Sequence, residues 1–328
     1  MRRIIPSLLL ILALTPVTWL RHDPPEPSYE LKVDFRPLPL PSRAEQAAHL
    51  GAFHLEEIWQ LISPHRQFGG YSALLALGNG ELLAIADRNS WLRFTPPGRP
   101  RRPLAIGFVR PWQLVERNGY DSESATLDRA TGHVWVGWES SNSITRHTLD
   151  FGTWHSVFPR AMSGWGRNDG PEAIVRLADG RFIVLREGTT NWIDDSRHSG
   201  LLFAGDPIEG KAPRAFTLAG PAGFSVTDMT QIPDGRVLIL MRKLVWPFPA
   251  RFIGRIVIAG PAEIRAGGVW RSKVVAKLSS SLPVDNFEGI GMEPRADGTL
   301  TVWLISDANS ALTQRTLLWK LAVDPAEL

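Results

Sequence analysis

The chain of 328 residues contains no cysteine. That absence excludes a disulfide framework, a thiol nucleophile, a thiolate zinc site and lipid attachment at an N-terminal cysteine. Charge of one sign is also missing: 36 Lys and Arg stand against 33 Asp and Glu, and no block of like charges occurs. Nucleic acid is therefore not an expected partner, because binding to a phosphate backbone needs a concentrated basic face. No G-x-S-x-G elbow is present; Ser72 lies in GGYSAL, which lacks the second glycine. H-E-x-x-H and a Walker loop are lacking as well. Esterases of the Ser-His-Asp type, zincin proteases and P-loop NTPases thus lose their sequence signatures.

Long apolar runs are confined to the N-terminus. Arg2 and Arg3 precede a run from Ile4 to Leu20 that only Pro6, Ser7, Thr15, Pro16 and Thr18 interrupt. A basic start followed by such a run reads as a bacterial secretory signal or, at 17 residues, a short membrane anchor over residues 1–24. The expected location is exported or periplasmic, with anchoring to the inner membrane by residues 4–20 as the alternative fate. Any membrane contact is expected through this segment alone, and residues 25–328 are expected to form one domain and a monomer.

What the chain does have is one unit written five times. Each copy starts with a short polar or acidic residue, runs through an apolar strand, turns at a glycine and rises through a second apolar strand to a charged end. The copies are GGYSALLALGNGELLAIADR (69–88), DSESATLDRATGHVWVGWES (121–140), GPEAIVRLADGRFIVLRE (170–187), VTDMTQIPDGRVLILMRK (226–243) and FEGIGMEPRADGTLTVWLISD (287–307). Aligned on Ser72, Glu123, Glu172, Asp228 and Glu288, the starts lie 51, 49, 56 and 60 residues apart. A period of this size signals stacked supersecondary units, since one unit alone cannot bury both faces. The 29 glycines and 26 prolines punctuate short runs rich in β-branched and aromatic residues, as a turn-rich β protein requires. Asp-Gly in LADGRF, IPDGRV and RADGTL marks hairpins. Each unit has room for two further strands, which makes a propeller blade. The expected fold is therefore an all-β propeller of five or six four-stranded blades. The segment HLGAFHLEEIWQLI (49–62) is placed as the outer strand that closes the last blade, and helix is expected only around Arg43–His49. Most of the 13 tryptophans are expected to pack between blades or strands.

The pieces GGYSALLAL, DSESATLD, GPEAIVRLADGRFIVLRE, TDMTQIPDGRVLILMRK and DNFEGIGMEP with LISDAN resemble the phytase-like domain family, in order from about Gly69 to Asn309. The most specific piece is Asp285-Asn286-Phe287-Glu288-Gly289 together with Asp307 and Asn309. The resemblance implies a β-propeller with its site at the axial mouth and an esterase-like activity related to phytases. It names no substrate. Two positions depart from the family pattern: Ser124 follows Glu123 where glycine is usual, and Arg242-Lys243 stands where Glu-Arg is common.

In a propeller the innermost strands start at one rim of the channel, so Glu123, Glu172, Asp228 and Glu288 are expected to gather there. Arg88, Glu139, Glu187, Arg242 and Asp307 close second strands, with Asp87 beside Arg88. The candidate metal ligands are Glu123, Glu172, Asp228, Glu288, Asp307 and Asn309, an oxygen-only set suited to Ca2+ or another hard divalent cation. Glu288, Asp307, Glu172 and Asp228 are the candidate catalytic residues, and Arg88, Arg242 and Arg186 the candidate clamps for a small anionic substrate. The expected function is metal-assisted hydrolysis of a phosphate ester or related ester. The alternative is a non-catalytic propeller that binds a ligand or an envelope protein. The same acids and arginines also fit a structural ion-pair belt that keeps blades in register.

Overall fold

The computed structural model describes residues 28–111, 121–166, 168–189, 194–245, 251–279, 281–308 and 314–328. The expected signal or anchor (1–24) and Asn309 lie outside the described residues. Among the described residues, no helix is long and apolar enough to cross a membrane.

Strands β1 (Asp34–Pro37) and β2 (His54–Ile62) flank one helix, α1 (Arg43–Leu50). Ser42 caps that helix: its hydroxyl accepts from the Glu45 amide, and the Glu45 carboxylate accepts from the Ser42 amide. Blade 1 follows as β3 (Tyr71–Ala76), β4 (Leu82–Ala86), β5 (Ser90–Phe94) and β6 (Ala105–Phe108). Blade 2 is β7 (Ser122–Asp128), β8 (His133–Trp138), β9 (Ser143–Thr148) and β10 (Trp154–Val157). Blade 3 is β11 (Pro171–Arg176), β12 (Phe182–Thr189), β13 (Arg197–Phe203) and β14 (Arg214–Ala219). Blade 4 is β15 (Ser225–Gln231), β16 (Val237–Val245), β17 (Arg251–Ala259) and, past the short β18 (Val269–Arg271), β19 (Lys273–Leu278). Strand β18 joins the outer edge of blade 3 in parallel. Blade 5 is β20 (Phe287–Pro294), β21 (Leu300–Ser306) and β22 (Thr316–Val323), completed by β2, with β1 beyond it. The protein is thus a propeller of five four-stranded blades, two of them carrying a fifth edge strand. The N-terminal β2 pairs with the C-terminal β22 from His54↔Ala322 to Leu61↔Thr316 and closes the ring.

Local chemistry explains the hairpins. At 179–180, 234–235 and 297–298 the glycine takes a positive φ of 87°, 92° and 86°. Each preceding aspartate accepts a hydrogen bond from the amide two residues on, at 2.9–3.1 Å. Apolar side chains from facing blades then interleave: Leu238, Leu240 and Ile256 of blade 4 meet Ile290, Val302, Leu304 and Trp319 of blade 5. Trp138, Trp270, Trp303 and Trp319 are fully buried, each in one of these seams. Burying one such ring from water contributes on the order of 2–3 kcal/mol.

The innermost strands β3, β7, β11, β15 and β20 share one irregularity. Each starts with a β-bulge, so that one residue near its beginning has no partner on the second strand. The bulged residues are Ser72, Glu123, Glu172, Thr227 and Glu288. A bulge re-aims its side chain, and Glu123 and Glu288 are turned to a cavity at the mouth.

Candidate functional site

Backbone pairing sets the equivalences between blades. In blade 4 the bulge holds Thr227, not Asp228, since Val226 pairs with Met241 and Asp228 with Leu240. Asp228 therefore corresponds to Ala73, Ser124, Ala173 and Gly289, which follow the bulge in the other blades. All four are small because neighbouring inner strands approach closely there; a Cβ on Gly289 would lie 2.9 Å from the backbone at Ala73 and Leu74. Asp228 is fully buried deep in the channel. It accepts hydrogen bonds from the amides of Met229 (2.8 Å), Ile290 (2.8 Å) and Leu74 (3.4 Å), on blades 4, 5 and 1. Burial pushes its carboxyl well above the usual range, and those three N–H groups oppose the shift.

A second ring sits where the second strands reach the mouth. Asp87 donates its amide to Gly70, Glu139 to Asp121, Glu187 to Gly170 and Asp307 to Asn286, while Arg242 pairs with Ser225. The equivalent positions are thus Asp87, Glu139, Glu187, Arg242 and Asp307. Together the bulge and mouth positions supply seven carboxylates and one guanidinium, with Asp121 an eighth acid beside them. Six of them, Asp87, Glu123, Glu187, Arg242, Glu288 and Asp307, line a cavity of about 460 Å3, with Lys243, Leu244 and Phe252 on the blade 4 side.

Of the three candidate arginine clamps, Arg242 alone lines this cavity. Its guanidinium is already held by acids. It forms an ion pair with Glu288, donates to Asn286 Oδ1 at 3.1 Å, and lies 3.3 Å from Glu187 and 3.9 Å from Glu172. Asn286 also donates to Glu288 at 2.5 Å. Arg186 turns instead to Asp169, pairing with its carboxylate and donating to its carbonyl. Arg88 projects outward with its side chain 60% exposed, 3.8 Å from Asp87. Ser72 donates its hydroxyl to the Ser122 carbonyl at 2.6 Å, a blade-to-blade link.

The acids lie closest on the side of blades 2 and 3. Oxygens of Asp121, Glu123 and Glu139 all lie within 4.8 Å of one another, and so do those of Glu139, Glu172 and Glu187. The two groups share Glu139. Asp121, Glu139 and Glu187 were not among the candidate ligands read from the sequence, although each stands at the start or end of a repeat. An oxygen-only donor set of this density fits a hard divalent cation and not zinc or copper.

The electrostatics agree with that fit. Burial raises the carboxyls of Asp121, Glu123 and Glu172, with repulsion from Asp87 and Glu139 adding at Glu123 and from Glu187 and Glu123 at Glu172. Burial, with Glu187 and Asp121 nearby, pushes Glu139 up to about 7. Burial and the neighbouring Asp307 push Asp87 up to about 7, and its Oδ1 accepts no hydrogen bond. These groups hold protons in the fold that the unfolded chain releases near pH 4. Their contribution to stability is complete below the unfolded values and is lost as pH rises through the folded ones. The melting temperature in EDTA is therefore expected to fall between about pH 4.5 and 7. Added Ca2+ is expected to flatten that slope, because a cation replaces the protons. A thermal scan series with and without Ca2+ checks both points; a slope that Ca2+ leaves unchanged would count against cation binding.

The family model for the phytase-like family, described as "esterase-like activity of phytase", matches residues 66–310. The chain belongs to the phytase-like family. The matched span covers the five repeated units and the whole carboxylate mouth of this phytase-like propeller. No curated protein matches the chain. Among solved structures it is similar to an endo-arabinase from Bacteroides thetaiotaomicron VPI-5482, at 10% identity and a TM-score of 0.51, over 77% of this chain and 94% of that one. A gluconolactonase from Xanthomonas campestris matches at 13% identity and a TM-score of 0.46, over 92% and 99% of the two chains. A glutaminyl cyclase from Myxococcus xanthus matches at 12% identity and a TM-score of 0.46, over 83% and 97%. At these identities the likeness is one of fold.

Proposed function

We propose that this phytase-like propeller is a metal-assisted hydrolase of phosphate esters or related esters, acting at the axial mouth. The observation that carries the reading is the pair of carboxylate groups joined through Glu139. Asp121, Glu123, Glu139, Glu172 and Glu187 would hold Ca2+ or another hard divalent cation. When bound, the cation offsets the mouth's negative charge and polarises the ester oxygen.

The chain's own residues supply the rest. Asp87 is the proton acceptor: it lines the cavity, and its carboxyl, pushed up to about 7, is matched to neutral pH. Water oxygen adds to phosphorus or the acyl carbon while one of its protons passes to Asp87. The ester bond breaks, and the leaving alcohol oxygen receives that proton. Asp307, beside Asp87, raises its basicity. Glu288 and Asn286 fix Arg242, so their part is positioning. Asp228, sealed among backbone amides, holds the blades and takes no part in turnover. No protein nucleophile is required. We read residues 1–24 as an export signal or an inner-membrane anchor from their sequence pattern, with the domain exported or periplasmic.

The test is calorimetric titration of EDTA-stripped protein with Ca2+, Mg2+ and Mn2+, followed by a screen of phosphate and carboxyl esters. Saturable binding and ester turnover are expected in the parent. Glu139→Gln is expected to weaken binding at least about tenfold, or ~1.4 kcal/mol, and to remove turnover while the protein stays folded. A parent that binds no cation and turns over no ester would overturn the reading and leave a non-catalytic binding propeller.

A further inference from the structure

Exposed aromatic rings gather at one end of the propeller. Among the described residues they are Tyr29, Phe108 and Phe158, with the exposed Leu31 close to the first. Strand pairing puts all four at the level of the mouth. Phe108 pairs with Ser90, and Ser90 with Ala86, which precedes the mouth residue Asp87. Phe158 follows Val157, which pairs with Ile144, whose neighbour Ser143 pairs with Trp138 just before Glu139. Asp34 pairs with Ile62, at the end of β2 that runs beside the start of β22, so residues 28–33 lie at the rim outside blade 5. Of the other exposed large apolar side chains, Leu40 lies past the far end of β1, and Val269 and Val274 sit on outer strands of blades 3 and 4.

Tyr29 is fixed there although its ring faces water. Arg66 donates to its hydroxyl at 2.8 Å, with the guanidinium carbon 5.6 Å from the ring centre. The Arg66 amide also donates to the Ser28 carbonyl at 2.9 Å and ties the segment to the rim. Tyr29 and Phe158 are each 67% exposed and Leu31 56%. Apolar surface left in water forgoes about 25 cal/mol per Å2. Rings and a leucine spaced around a rim regain it in the interfacial layer of a bilayer, where aromatic residues settle. Arg66, Arg88 and Arg160 are exposed on the same rim, at the height of lipid phosphates, with Glu30 and Asp195 as exposed acids.

The chain also enters the propeller on this face. The apolar run Ile4–Leu20 is joined to Ser28 by seven residues, RHDPPEP, three of them proline. Seven residues reach at most about 25 Å when fully extended. The eight residues of β22 alone measure about 26 Å from the mouth to the far end. Docking by the far end would hold Ser28 at least that high, and the headgroup layer adds about 5 Å. The link is too short for that. It is long enough to let the mouth rest on the surface.

We infer that the mouth of the propeller faces a phospholipid membrane, with Tyr29, Leu31, Phe108 and Phe158 seated in its interfacial layer. The inference rests on the anchor reading of residues 4–20 for the tether and is independent of the hydrolase reading. What it adds is access: a ligand reaches the carboxylate mouth from the membrane surface.

The chain has no cysteine, so one introduced thiol carries a unique label. The experiment uses the full chain reconstituted in vesicles of phosphatidylcholine and phosphatidylglycerol. A bimane is attached at Ala161→Cys, on the rim after Phe158, or at Ala130→Cys, in the β7–β8 turn at the far end of blade 2; both positions are exposed. Nitroxide on the lipid headgroups is expected to quench the rim label several-fold more strongly than the far label. Phe108→Ser combined with Phe158→Ser is expected to bring rim quenching down toward the far level while the chain still sediments with the vesicles, since the tether is unchanged. Equal quenching at the two positions, a rim label shielded from lipid by a protein contact, or rim quenching that survives the double variant would overturn the inference. Sedimentation separates the two readings. A chain that sediments with vesicles but shows no rim quenching sinks the orientation and keeps the anchor. A chain that does not sediment with vesicles overturns both.

Discussion

Asp228→Ala is expected to lower the melting temperature by roughly 5–10 °C and to leave Ca2+ affinity unchanged. The side chain is fully buried, and its two oxygens accept from the amides of Met229, Ile290 and Leu74. Alanine supplies no acceptor for these amides. A buried N–H left without a partner costs about 1–3 kcal/mol; two short bonds and one long one give a loss on the order of 3 kcal/mol. Asp228→Asn retains one acceptor oxygen but turns an amide toward a donor, so an intermediate loss is expected. Thermal scans of both variants, with and without Ca2+, check the result. If Asp228→Ala melted like the parent but no longer bound Ca2+, the residue would belong to the chemistry and not to the frame.

That prediction departs from the simplest reading of the repeats, and the reason is physical. Strand periodicity, Asp-Gly turns and the fifty-residue spacing report local conformation and burial, so blades, hairpins and the closing strand at 54–62 were all legible. The blade count needed the ring itself: the closing strand supplies the fourth strand of blade 5 rather than a sixth blade. Register is a different matter. Aligning VTDMTQ on its acid puts Asp228 in the ring, yet the bulge falls on Thr227, because a bulge is set by backbone pairing across two strands. The same one-residue ambiguity made Arg88 a candidate where the mouth position is Asp87. Asp121 was visible as the first letter of its repeat, but its role depends on Glu139, which is brought beside it by a backbone bond from the Glu139 amide to the Asp121 carbonyl. Arg186 and Arg242 look alike in sequence. One finds Asp169 outside the cavity, and the other meets three acids within it.

Arg242 carries the second large expectation. In four blades the mouth position is an acid, and in blade 4 the guanidinium stands among Glu172, Glu187 and Glu288 as a tethered counter-charge. Arg242→Met removes that charge and keeps much of the volume. Breaking a buried ion pair from one side costs about 3–5 kcal/mol, because the remaining charges are desolvated and uncompensated. In EDTA near pH 8 the melting temperature is therefore expected to fall by roughly 10 °C. The loss should shrink toward pH 5: burial already raises the Glu172 carboxyl, and without the guanidinium it takes up a proton still more readily. Ca2+ should restore most of the deficit at pH 8, since a cation at a hundred times its dissociation constant stabilises the fold by about 2.7 kcal/mol. The variant is also expected to bind Ca2+ more tightly than the parent, because Glu172 and Glu187 no longer share their charge with the guanidinium. A deficit that neither acid nor Ca2+ reduces would show that Arg242 acts through packing against Phe252 rather than through charge. The contrast with Asp228→Ala is the sharper test of the whole site: orphaned backbone amides need an acceptor, which no cation can supply, whereas orphaned carboxylates need a cation, which Ca2+ supplies.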